Sequence, residues 1–201
     1  MKINIQSLVF IVTPILVVTL LFLWLTGFIG LWTGGIAEKA NNTKDFTTTK
    51  SHFIAGDYSI SIDLSNLESN IGKELYNDGK HTIYVSSVNN TGSENTGGYS
   101  ISFRSSGRIS LNAASLVSGV QHARINEHSF TNIMTAKMTA EYNGKIYESP
   151  ISGVSGLNYK DGDEFGFYIF PHESYQEIRL NEQGVVGLTV SNLYKNIWSK
   201  N

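Results

Sequence analysis

The sequence predicts a mainly β protein: an antiparallel β-sandwich, jelly-roll or Ig-like, preceded by a single N-terminal transmembrane helix. Three observations predict it. Residues 8–32 form an apolar run of 25 residues without a charge. Beyond residue 51 the chain breaks into short stretches in which apolar and polar residues alternate, the pattern of half-buried strands. Glycine is abundant (19) and proline scarce (3), with many Ser, Thr and Asn between the stretches, which suits tight turns.

The organisation expected is a short tail (residues 1–7), a transmembrane signal anchor (8–32), a polar tether (33–50) and a β-sandwich domain (51–201). As a helix the apolar run would be about 37 Å long, against a hydrocarbon core of about 30 Å. Pro14 falls in the first turns of the span, and Trp24 and Trp32 have the amphipathic rings of an interfacial belt. The lipid bilayer is therefore an expected partner through residues 8–32. A cleaved signal peptide is the competing reading, with Gly35-Ile36-Ala37 as its small-residue site, but the run is about twice the usual 7–15 residues. Lys39, Lys44 and Lys50 outnumber Lys2 across the span and by simple count favour a cytoplasmic domain. Long C-terminal domains translocate largely regardless of such charges, and the Ser/Thr/Asn-rich composition favours an extracytoplasmic one. Thr26, Gly30 and Gly34 are spaced by four and are the candidates for helix–helix contact in a weak homodimer.

A net charge of −2 and a pI near 6.2 offer no footprint for nucleic acid. The absence of cysteine excludes disulfides, thiolate catalysis and cysteine-based metal sites. Nine strands are expected. Tyr58, Ile60, Ile62 and Leu64 alternate with polar residues, and runs at 82–88, 99–104 and 108–111 follow. The clearest alternation runs from Phe130 through Met134, Ala136, Met138 and Ala140 to Tyr142. Asn143-Gly144 then predicts a type I′ hairpin into 145–148, ended by Pro150. Runs at 164–170, 175–180 and 185–191 complete the set. Short helices are expected at Leu67/Ile71/Leu75, at Ala113/Leu116/Val117/Val120 behind an Asn112 cap, and at Leu193/Ile197/Trp198.

Chemistry is harder to find. Asp161, Asp163 and Glu164 lack the later oxygen ligands of a calcium loop and read as a solvated turn, like Ala55-Gly56-Asp57 and Asp78-Gly79. His122 and His128 are six apart, a zinc-site spacing on neither helix nor strand, and His52, His81 and His172 are scattered; all five read as ordinary histidines. Gly153-Val154-Ser155-Gly156 is the nearest string to a nucleophile elbow and lacks its second glycine. Glu127, Glu141, Glu148 and Glu164 are the carboxylates available to an enzyme assembled from separate strands. No cofactor is expected. In 165–170 (FGFYIF) the alternation puts Phe165, Phe167 and Ile169 on one face and Tyr168 and Phe170 on the other. Tyr168, Phe170 and Tyr159 in the preceding turn are the candidate ligand contacts. The expected function is an anchored module with a binding or structural role at the cell surface, its partner a protein, peptide or glycan. An envelope-polymer enzyme and a membrane-complex subunit are the alternatives.

Overall fold

The computed structural model describes residues 5–126 and 129–201, with the side chains of residues 5–11, 31, 96 and 129 outside that description. Lys2, Glu127 and His128 lie outside the described residues, as does the start of the expected tail.

Two helices open the chain, α1 (Ile5–Leu25) and α2 (Phe28–Asn41). The expected uninterrupted helix over 8–32 is thus broken at Thr26-Gly27. The Thr26 hydroxyl bonds back to the carbonyls of Phe22 and Leu23, and Gly27 is left-handed. Among the described residues, no helix is long and apolar enough to cross a membrane. The described apolar side chains of α1 are largely exposed, Phe22 at 65% and Leu25 at 76%.

The segment expected as a polar tether is instead built into the domain. The second half of α2 packs Ile36 and Ala40 against Ala114, Leu116 and Trp198. At Gly35 the helix kinks with φ 60° and ψ −141°, backbone that only glycine adopts readily, and the Ile36 N–H donates to the Lys160 carbonyl at 2.8 Å. Two short strands, β1 (Phe46–Thr48) and β2 (His52–Phe53), then join the sheet of the C-terminal strand. Polarity misled here because the buried apolar side chains are few and widely spaced, Ile36, Ala40 and Phe46, and the buried Lys39 reads as a surface charge.

The strands that follow are β3 (Tyr58–Asp63), β4 (Glu74–Asn77), β5 (Thr82–Asn90), β6 (Tyr99–Ser106), β7 (Arg108–Ile109), β8 (Ala113–Ser118) and β9 (Val120–Asn126). Then come β10 (Ser129–Met134), β11 (Lys137–Tyr142), β12 (Lys145–Ser149), β13 (Ile151–Val154), β14 (Glu164–Tyr168), β15 (Val185–Ser191) and β16 (Tyr194–Lys200). All pair antiparallel, in open sheets rather than a barrel: β12-β11-β15-β3, β13-β14-β6-β5-β4, β1-β16-β8-β7 with β2 on β16, and the hairpin β9-β10. The first two share one apolar core, Ile62, Met138 and Leu188 from one and Ile83, Phe103 and Phe165 from the other. Asn143 and Gly144 both have positive φ (51° and 74°), as the type I′ turn requires, and Tyr142 faces Lys145 across it.

Three helical expectations are corrected. Residues 113–118 are strand: Leu116 is buried in the α2 cluster and Val117 in the main core, so burial on both faces imitated a helical stripe. Residues 193–198 belong largely to β16, and only a 3₁₀ turn, Leu67–Asn70, forms near residue 71. The strand expected over 175–180 is replaced by the 3₁₀ turn His172–Gln176. The long alternation from Phe130 to Tyr142 divides between β10 and β11, because the Thr135 and Ala136 N–H groups both turn to the Gly119 carbonyl.

Candidate functional site

The β4–β5 hairpin turns at Asp78-Gly79. Asp78 Oδ1 accepts from the backbone N–H groups of Lys80 and His81 at 2.8 and 2.7 Å, closing the turn. The same carboxylate meets His81 Nδ1, with Oδ2 at 2.9 Å. Burial works to raise the Asp78 carboxyl. The hydrogen bonds from the His81 ring and from the two backbone N–H groups outweigh it and hold the group well below the usual carboxylate range. The other ring nitrogen, His81 Nε2, lies 2.8 Å from Ser115 Oγ in the middle of β8. In the neutral ring, a carboxylate facing Nδ1 holds the proton on that nitrogen and leaves the Nε2 lone pair to accept the serine hydroxyl. The His81 ring is 2% exposed and Ser115 half-buried.

Both residues border a surface pocket of about 450 Å3. Ile109, Ala113, Ala114 and Ile197 also line it, together with Lys80, Arg108 and Lys195. No carboxylate lines it, and among the described residues none of the three cations forms an ion pair. Sheet register explains the gathering. Ser115 faces Arg108 across β7 and Ile197 across β16, and Lys195 faces Val117 one pleat along. Directly paired residues project to the same side of a sheet.

A second polar cluster is buried. Asp163, fully enclosed, accepts the Ser118 hydroxyl at 2.9 and 2.8 Å and meets His122 Nε2 at 2.6 Å. His122 Nδ1 is 2.8 Å from Asn132 Oδ1, at the edge of a pocket of about 230 Å3 beneath α2. Asn196 accepts the His122 backbone N–H and donates to the Val120 carbonyl, joining β16 to β9. The expectation of a solvated turn at 161–164 is therefore corrected. Asp161 bonds Arg104 at 2.6 Å and the Ser106 hydroxyl at 2.5 Å, and Asp163 is core. Strand parity carried that signal, since Asp163 shares its side with Phe165 and Phe167, and His122 shares its side with Ser118 and Val120.

The three expected aromatic contacts do not converge. Phe170 is 1% exposed and ringed by Tyr99, Tyr142, Tyr147 and Tyr175, with centroids 5.4–6.4 Å away. It is a core residue, because the chain leaves the strand after Tyr168 and parity ends there. Tyr168 is half-buried against Gly97 and shares a cavity of about 290 Å3 with the edge of Phe170. Tyr159 sits at the other end of β14, its hydroxyl on Glu164 Oε2 at 2.6 Å and the Arg104 guanidinium 3.5 Å over its ring. Of the expected helix contacts, Thr26 lies at the helix break, while Gly30 and Gly34 are covered by the Glu38 side chain of the same helix. Glu141 and Glu148 lie diagonally across β11 and β12, and Glu164 belongs to another sheet, where the Ser86 hydroxyl bonds it. Among the described residues, no three His, Asp or Glu side chains gather as a metal site.

Sequence reasoning missed Ser115 and His81. They are 34 residues apart, one in the β4–β5 turn and the other in β8, and the one local hint was the Asp78-to-His81 spacing of an Asx turn. No protein-family model, curated protein or solved structure matches the chain.

Proposed function

We propose that this chain is a membrane-anchored β-sandwich module whose domain lies outside the cytoplasmic membrane and binds an anionic ligand in the pocket around Ser115. The observation that carries the reading is the charge of that pocket. Lys80, Arg108 and Lys195 surround an opening without a carboxylate, on a chain whose net charge is −2. Clustered cations over low-dielectric walls raise the local concentration of anions.

The anchor is supported by the uncharged stretch of residues 8–32 and by the exposed apolar side chains of α1, which the domain does not cover and lipid would. Burial of Ile36 and the Gly35–Lys160 approach favour retention over cleavage at residues 35–37, since cleavage there would strip a core residue. Lys160 Nζ lies 4.7 Å over the Trp32 ring, a pairing suited to headgroup depth. The docked α2 would hold the pocket at a set orientation to the bilayer instead of on a free leash.

The test is salt-dependent binding of the detergent-solubilised chain to a poly(glycerol phosphate). Retention should be lost at high salt and fall at least tenfold in the triple variant K80E/R108E/K195E. Equal retention by wild type and variant would refute the pocket as the site. Protease added to intact cells should remove the domain, and protection until lysis would refute the orientation.

A further inference from the structure

We propose that Ser115, His81 and Asp78 form a nucleophilic relay that hydrolyses an acyl ester carried by an anionic molecule. The proposal rests on the cationic pocket being a ligand site and names the chemistry performed there.

The geometry is that of an activated hydroxyl. Asp78 to Nδ1 is 2.9 Å and Nε2 to Ser115 Oγ is 2.8 Å, so nucleophile, base and orienting carboxylate are in hydrogen-bonded sequence. The carboxylate is itself fixed by two backbone N–H groups, so the ring has one orientation. Ser115 lies where substrate can reach it, on the pocket wall, while the ring behind it is shielded from water. The pocket's walls supply charge where charge develops. Arg108, the cross-strand partner of Ser115, starts about 5 Å from it between Cβ atoms and can meet the oxyanion. Lys80 and Lys195 remain for the anionic part of the substrate. The buried Ser118–Asp163–His122 cluster contains the same residue types in a different order. There the serine bonds the carboxylate and not the imidazole, so no hydroxyl is activated.

The steps balance with water as the co-reactant. Ser115 Oγ bonds to the acyl carbon as its proton passes to His81 Nε2. The tetrahedral species collapses with cleavage of the ester C–O bond, and the departing alkoxide takes that proton to leave as an alcohol. Water then adds to the acyl carbon, giving a proton to Nε2. Breaking the Oγ–C bond releases the carboxylic acid, and the proton returns to Oγ.

The experiment labels the full chain in detergent with an uncharged fluorophosphonate, with peptide mapping of the adduct and parallel thermal melts. The expected result is one adduct, on Ser115, absent in Ser115→Ala and at least a hundredfold slower in His81→Gln. Should His81→Gln fail to fold, Asp78→Asn provides the same comparison, since it keeps the acceptor oxygen of the turn. No adduct on folded wild-type chain, an adduct that persists in Ser115→Ala, or a His81 variant that labels at the wild-type rate would each overturn the proposal and leave the contact as a tie between sheets. The label carries no charge. An adduct on Ser115 with no retention on poly(glycerol phosphate) would therefore refute the anionic ligand and keep the nucleophile. Retention without an adduct would do the reverse.

Discussion

His122 Nε2 and Asp163 Oδ2 lie 2.6 Å apart with both side chains buried, and with the Ser118 hydroxyl they tie β8, β9 and the start of β14 together. A carboxylate removed from water is tolerated only when its oxygens are bonded. His122→Ala leaves Asp163 with a single hydroxyl partner and should cost about 3–5 kcal/mol in urea denaturation. Arg124→Ala, two residues on, should stay within about 0.5 kcal/mol. A His122→Ala cost under about 1 kcal/mol would mean that the pair contributes little.

Phe170 and Tyr168 should separate cleanly. Phe170→Ala empties the centre of a ring of four tyrosines and should lose about 3–5 kcal/mol. Tyr168→Ser, at the half-buried end of β14, should lose clearly less in the same denaturation. Equal losses would place both rings in the core.

Asp78 gives a pH signature with a definite sign. Its carboxyl lies below the ordinary 3.8 when folded, so its contribution to stability is fully present above that value. The contribution disappears as pH falls through the folded-state value. The stability difference between wild type and Asp78→Asn should shrink as pH falls below about pH 4. A difference that grew in acid would contradict the depressed carboxyl.

Gly35 joins helix to domain. A Cβ there would lie 2.0 Å from the Lys160 carbonyl oxygen, on backbone with φ 60°. Gly35→Ala should release the second half of α2, read as new protease cleavage between residues 37 and 45 and a lowered Tm. An unchanged cleavage map would show that the docking does not depend on the close approach.

Met138 and Lys137 are neighbours on β11 with opposite exposure, 3% for Met138 and open solvent for Lys137. Met138→Asp places an unpaired charge among Ile62, Leu188 and Phe165 and should abolish cooperative melting. Lys137→Asp should shift stability by no more than about 0.5 kcal/mol. Comparable effects would mean that β11 is out of register.

The sequence by itself determined the mainly β character, the alternation of β3, β5, β6, β11 and β15, and the Asn143-Gly144 hairpin. These follow from local rules, a period of two and the left-handed tolerance of Asn and Gly. It also determined the apolar N-terminal run, because composition needs no partner to be read. Tertiary structure alone decided the rest. Residues 113–118 became strand because α2 covers one of their faces and the main core the other, so their apolar residues lost the alternation that marks a strand. Phe170 went inward because the chain turns after Tyr168, which no periodicity records. The Ser115–His81 contact depends on how one sheet's hairpin leans on the face of another. Such a contact joins residues far apart in the chain through packing, and packing is set by shapes and areas that no local spacing encodes.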